Sequence, residues 1–131
     1  MSTQPTFDPF GTFVHIEDGG SASPVEVTET FWKELMSGER PDLNDGWLMA
    51  AYHVTGDSMW EVHPSGDEIL YLLSGAVDVI LQADDSEQVV ELQAGAVCVV
   101  PRGTWHRQVV REAGDLLGIT FGKGSHHRPV E

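Results

Sequence analysis

Cations are scarce in this sequence. Its 131 residues carry seven Lys and Arg against 21 Asp and Glu, a formal net charge of −14, and the seven are scattered rather than gathered into a patch. A surface of that sign repels phosphate backbones and anionic lipid, so neither nucleic acid nor a membrane surface is an expected partner. The acidity itself reads as a solubilising surface. Cysteine is nearly absent too. Cys98 stands alone, which excludes an internal disulfide, and it sits among Val97, Val99 and Val100, where a buried, inert thiol is the expectation. Long apolar runs are missing: none approaches the roughly 20 residues that a membrane span needs. The opening residues hold no basic segment followed by an apolar one of the kind that directs secretion. A cytoplasmic protein is expected. The length suits one domain with a sizeable core and is too short for two.

Helical signal is equally sparse. Residues 1–23 mix Pro5, Pro9, Gly11, Gly19 and Gly20 with Phe7, Phe10 and Phe13, too broken for a long element and too aromatic for a free tail, so residues 1–24 read as an arm that packs. One helix is expected over residues 28–37, with Thr28 as its cap, Phe31, Trp32, Leu35 and Met36 on one core-facing side, and Gly38 as its stop. From Trp47 onward the chain alternates strand and turn with no second helix. Strands are expected over 47–54, 60–63, 69–73, 77–81, 89–92, 97–100, 106–110 and 116–121, with a hairpin at Asp84 and Asp85. Short strands at this spacing indicate an all-β sandwich or closed barrel over residues 25–122, and closure removes free edges. Residues 123–131, including His126 and His127, read as a solvated tail.

Two segments hold most of the residues able to bind a metal: Glu61 to Glu68, and Pro101 to His106. On a strand, side chains two apart share a face, so Glu61 and His63 point one way and Trp60 and Val62 the other. If the Pro64, Ser65, Gly66 turn reverses the chain, Glu68 starts an antiparallel neighbour and faces back toward His63. His106 is distant in sequence and needs the barrel to bring it close. Neutral imidazole and carboxylate suit divalent Fe, Mn, Ni or Zn, and two His with one carboxylate is the facial set associated with non-haem iron. Weaker candidates are Tyr52, Trp60, Tyr71 and Trp105 at a cavity mouth, Asp67 as a substitute ligand, and Arg102 for an anionic substrate. His53 reads as structural.

The order Gly56, Glu61, His63, Glu68, Gly75 resembles the first motif of the cupin superfamily, in which a Gly precedes a His-x-His pair, a Glu follows, and a Gly comes later. Gly95, Pro101, Gly103 and His106 resemble the second. The resemblance implies a small single-domain cupin, with a double-stranded β-helix, or jelly-roll barrel, and one short N-terminal helix. It also implies that His63, Glu68 and His106 are ligands to a divalent ion. Two positions depart from the family pattern: Glu61 replaces the first His of the pair, and Val110 stands where an Asn is expected. Glu61 is then a ligand, a partner of a bound water, or, if unligated, the natural general base.

Three activity classes follow from the resemblance: dioxygenase, isomerase or epimerase, and decarboxylase, each acting on a small organic molecule. The alternative is a non-catalytic module that binds a small molecule or sugar. Small cupins often pair, so a homodimer is expected. No room is left beside the barrel for a helix-turn-helix.

Overall fold

The computed structural model describes residues 6–131, and residues 1–5, the start of the expected arm, lie outside the described residues. In chain order the elements are β1 (Thr12–Ile16), β2 (Ala22–Glu26), α1 (Phe31–Met36), a single 3-10 turn (Pro41–Leu43), β3 (Trp47–Val54), β4 (Trp60–Val62), β5 (Glu68–Leu72), β6 (Ala76–Gln82), β7 (Glu87–Gln93), β8 (Val97–Val100), β9 (His106–Glu112), β10 (Gly114–Thr120) and β11 (His126–Arg128). They form two antiparallel sheets: β2-β1-β3-β10-β5-β8 and β11-β4-β9-β6-β7. Among the described residues, no helix is long and apolar enough to cross a membrane.

Period-two alternation builds the interior. Glu68, Leu70 and Leu72 are buried on β5 while Tyr71 faces outward, and Leu116 and Gly118 are buried on β10. The inward residues of both sheets meet in one apolar cluster of Val54, Leu70, Leu72, Val77, Val79, Leu92, Cys98, Val100 and Leu116. Burial of the Cys98 thiol raises its pKa, as befits a packing residue rather than a nucleophile. A second cluster of Phe13, Phe31, Leu43 and Ala50 lies under α1, with the Phe13 and Phe31 rings edge to face.

Four local expectations are corrected. Part of the arm is not irregular: β1 and β2 form a hairpin that extends the six-stranded sheet through β3. The helix starts at Phe31, not Thr28. Its N-cap is Thr30, which makes no side-chain bond to the backbone, because the Thr30 hydroxyl donates to Glu34 Oε2 at 2.5 Å instead. Only Phe31 is buried on it, while Trp32 and Met36 are 44% and 57% exposed. The tail also carries structure, since β11 pairs with β4.

The fourth correction bears on the site. β4 and β5 are not hairpin partners, because β4 pairs with β9 and β11, and β5 with β10 and β8. The turn after His63 therefore passes the chain from one sheet to the other. Glu68 meets His63 across the interior rather than along a ladder. The backbone N–H of Gly103 donates to the His63 carbonyl at 3.0 Å, tying the two motif segments together.

Candidate metal centre

Registers bring the cluster together. Glu61 on β4 lies directly opposite His106 on β9 and, on its other side, opposite His127 on β11. Residues paired in register share a face, so these three side chains form one row on the five-stranded sheet. His63 follows two positions after Glu61 and keeps its face. From the other sheet comes Glu68, at the first inward position of β5. One donor atom each from Glu61, His63, Glu68 and His106 lies within 4.8 Å of all the others. His106 Nε2 is 2.9 Å from Glu68 Oε1 and 3.3 Å from Glu61 Oε1, and His63 Nε2 is 3.3 Å from Glu68 Oε2 and 3.4 Å from Glu61 Oε1.

Both imidazoles are aimed by their other nitrogen. His106 Nδ1–H donates to the Thr104 carbonyl at 3.0 Å, which turns Nε2 toward the cluster. The Ser125 hydroxyl donates to the Gly122 carbonyl at 2.8 Å, so its oxygen accepts from His63 Nδ1–H at 2.7 Å. In the neutral tautomer each Nε2 then presents a lone pair inward, the orientation that ligand histidines take from their outer partners. His63 Nε2 is buried and makes no hydrogen bond of its own. Two imidazole nitrogens and two carboxylates, one nitrogen of them orphaned, fit a divalent ion. Thr120 Oγ1 donates to Glu68 Oε2 at 2.6 Å and His127 Nε2 to Glu61 Oε2 at 3.2 Å, fixing the carboxylates as well.

Burial acts to lower the pKa of both histidines, and the facing carboxylates of Glu61 and Glu68 outweigh it. His63 is raised to about 9 and His106 to about 10. For Glu61 burial acts upward, but the facing imidazoles of His106, His127 and His63 hold the carboxyl far below its usual range. Glu68 is likewise lowered against its burial, by His106 and His63. Without metal at neutral pH the centre is thus two imidazoliums between two carboxylates.

A cavity of ≈ 570 Å³ opens onto Glu61, His63 and Glu68, bounded further by Gln108, Thr120, Ser125 and His127. Tyr52, one of the weaker candidates, lines it. Trp60 and Trp105 instead sandwich the Arg128 guanidinium outside the cavity, and Tyr71 faces outward. Asp67 is no ligand: it accepts from the Arg102 backbone N–H at 2.9 Å, and the same Asp67 pairs with the Arg102 side chain, leaving neither turned to the cavity. His53 is exposed at the mouth, paired with Asp115. Sequence reasoning missed Gln108, although it shares the His106 face two residues on, and it missed Thr120 and Ser125, which carry no local signal; His127, read as part of a solvated tail, instead lies opposite Glu61.

Two antiparallel sheets enclosing a buried His/Glu cluster define a β-barrel protein with a metal-type centre. Residues 48–121 match the cupin domain, more than half of the chain, and the protein belongs to the cupin family. No curated protein sequence matches. Among solved structures the chain is similar to a cupin-2 domain containing protein from Shewanella frigidimarina NCIMB 400, at 25% identity over 56% of this chain and 68% of that one (TM-score 0.49). It is similar to oxalate decarboxylase from Bacillus subtilis, at 23% identity over 62% of this chain and 23% of that one (TM-score 0.55). It is also similar to an oxalate oxidase, at 21% identity over 60% and 44% (TM-score 0.51). The match thus spans less than half of either oxalate enzyme, and the two likenesses carry the fold alone. The cluster of Glu61, His63, Glu68 and His106 resembles a cupin metal site.

Proposed function

We propose that this protein holds a divalent ion of the Fe, Mn, Zn or Ni group through His63, Glu68, His106 and Glu61, and acts as an enzyme on a small organic molecule that enters the cavity. The carrying observation is the convergence of four donor atoms within 4.8 Å, with both histidines oriented from behind. A bound ion supplies Lewis acidity toward substrate oxygens, the chemistry that dioxygenases, isomerases or epimerases and decarboxylases share. Gln108 and the Tyr52 hydroxyl border the same space and orient the entering molecule. Glu61 serves as a ligand rather than a free base: Oε1 sits between the two histidines and Oε2 is engaged by His127.

Elemental analysis of purified full-length protein tests this. The expected result is close to one metal per chain, or, for stripped protein, a rise in melting temperature on adding Zn²⁺ or Mn²⁺, since ion at a hundredfold its dissociation constant adds about 2.7 kcal/mol. Glu61→Gln then weakens metal binding. Metal-free protein whose melting temperature ignores added ion would return the function to a non-catalytic small-molecule or sugar-binding module, a reading that the half-apolar cavity also supports. The chain acts as a cytoplasmic homodimer in this reading. Support comes from the lone buried thiol and from an exposed apolar strip of Tyr71, Val97 and Val99 at the edge of the six-stranded sheet.

A further inference from the structure

The cavity has two unlike walls. One is the Glu61, His63, Glu68 side; the other is apolar, made by Trp32, Leu35, Met36, Leu43, Leu48 and Ala50. Trp32 and Met36 are half exposed on a six-residue helix and border this opening, the Trp32 ring being held from behind by Phe13, Phe31 and Tyr52. Among the described residues that line the cavity there is no Lys or Arg. Its two outlying histidines are already engaged, His53 by Asp115 and His127 by Glu61.

Charge counting sharpens the contrast. With Glu61 beside Glu68, two carboxylates cancel a divalent ion, and the two imidazoles are neutral once they bind through nitrogen. A pocket with no net charge and no lining Lys or Arg, in a chain of net charge −14, gives a small dianion no side-chain cation to pair with, and its binding to the ion would leave the buried centre with a net negative charge. An apolar body, by contrast, gains by leaving water against the α1 wall.

Resting on the metal reading above, we propose that this cavity selects neutral molecules with an apolar body and two adjacent oxygen donors at one end, of the catechol or enolisable dicarbonyl kind, and discriminates against small dicarboxylates. The oxygen pair turns to the Glu61, His63, Glu68 wall and the body lies against Trp32 and Met36. A volume of ≈ 570 Å³ accommodates a substituted ring.

The test is calorimetric titration of Zn²⁺-loaded and Zn²⁺-free full-length protein with 4-tert-butylcatechol, catechol and oxalate, with zinc content checked after each run. On loaded protein, 4-tert-butylcatechol is expected to bind at least about tenfold more tightly than catechol, the gain of burying its alkyl carbons. Oxalate is expected to bind more weakly than either. Trp32→Ala shrinks the tert-butyl gain about threefold or more while zinc uptake stays as in the wild type. The gain persists without zinc, because the wall supplies it. Oxalate binding as tightly as catechol, or no tert-butyl gain in either form, overturns the proposal. Failure to take up zinc is a different result: it removes the metal reading, and the tert-butyl gain on zinc-free protein still decides whether the apolar wall selects the ligand.

Discussion

At the scale of single residues the centre is a contest between protons and an ion for the same two nitrogens. His63 and His106 have folded pKa values of about 9 and about 10, above the ordinary imidazole value near 6.5. Their contribution to the stability of metal-free protein is therefore complete below about pH 6.5 and is lost as pH rises through 9 to 10. Glu61 and Glu68 are depressed, so their contribution is present above the usual carboxylate range and is lost as pH falls below it. Metal-free protein is expected to be most stable between roughly pH 5 and 6.5, and to lose stability steadily from there to about pH 10. Binding an ion at pH 7 must displace both imidazole protons. Calorimetry in two buffers of different ionisation enthalpy should read about two protons released per ion, with affinity rising up to pH 9; zero release would mean that the histidines are not the ligands. Ser125 gives a second residue-scale prediction. Ser125→Ala removes the acceptor that aims His63, and metal affinity should fall roughly 10- to 100-fold in competition with a chromophoric chelator. Global stability should fall by only about 1–3 kcal/mol, since the bonds from His63 Nδ1–H and to the Gly122 carbonyl are lost while the packing is kept. His63, Glu68 and His106 were legible as a set through their resemblance to the cupin motifs, with Glu61 left open between ligand, water partner and base, and the four lie together in the structure. Ser125 and Thr120 were not, because an outer partner is defined by where a distant strand or loop lands and leaves no periodic trace.

Elements differ in how much of themselves they write into the chain. Strands 47–54 and 97–100 were readable to the residue: both are apolar runs bounded by turn residues, the first an interior strand between β1 and β10 and the second strictly alternating between exposed and buried side chains. The helix was readable only in kind. Its apolar spacing looked like a core face, whereas three of those four side chains border an open cavity, and no sequence pattern distinguishes a buried apolar face from one that waits for a ligand. β11 was missed because a three-residue strand with two histidines has no hydrophobic alternation, and what holds it is a ladder to β4. Turn glycines are more legible, and two of them behave differently. Gly75, between β5 and β6, has φ +89°, and a Cβ there would meet the Glu112 carbonyl oxygen at 2.6 Å. Gly103 has φ +76° but open space around it. Gly103→Ala should cost about 1 kcal/mol, the left-handed penalty alone. Gly75→Ala carries that penalty plus a backbone clash and should cost at least about 2 kcal/mol more by urea denaturation. Equal costs would show that the Glu112 strand end yields freely.

For the whole molecule, the question is what the second sheet face meets. The interior of the barrel is filled by the apolar cluster at one end and opens as the cavity at the other, so the chain needs no partner to complete its centre. Its outer surface is less settled. Strand β8 is the edge of the six-stranded sheet, and on its outward face Val97 and Val99 are each 55% exposed beside Tyr71, at 36%, with which Val97 pairs. An apolar strip on a free edge is a surface that natural proteins blunt with charge or cover. Here it stays uncharged in a chain that spends 21 carboxylates elsewhere. The homodimer expected from family resemblance is best served by this strip. The Phe-rich arm is the poorer choice, because its Phe13 is already 2% exposed against Phe31 of the same chain. Sedimentation velocity should find a dimer that the double substitution Val97→Lys, Val99→Lys converts to monomer, with metal content unchanged because neither residue approaches the centre. Removing residues 1–11 should leave the dimer intact. If the lysine pair leaves the sedimentation coefficient where it was and the truncation lowers it, the contact belongs to the arm and the strip on β8 is merely exposed.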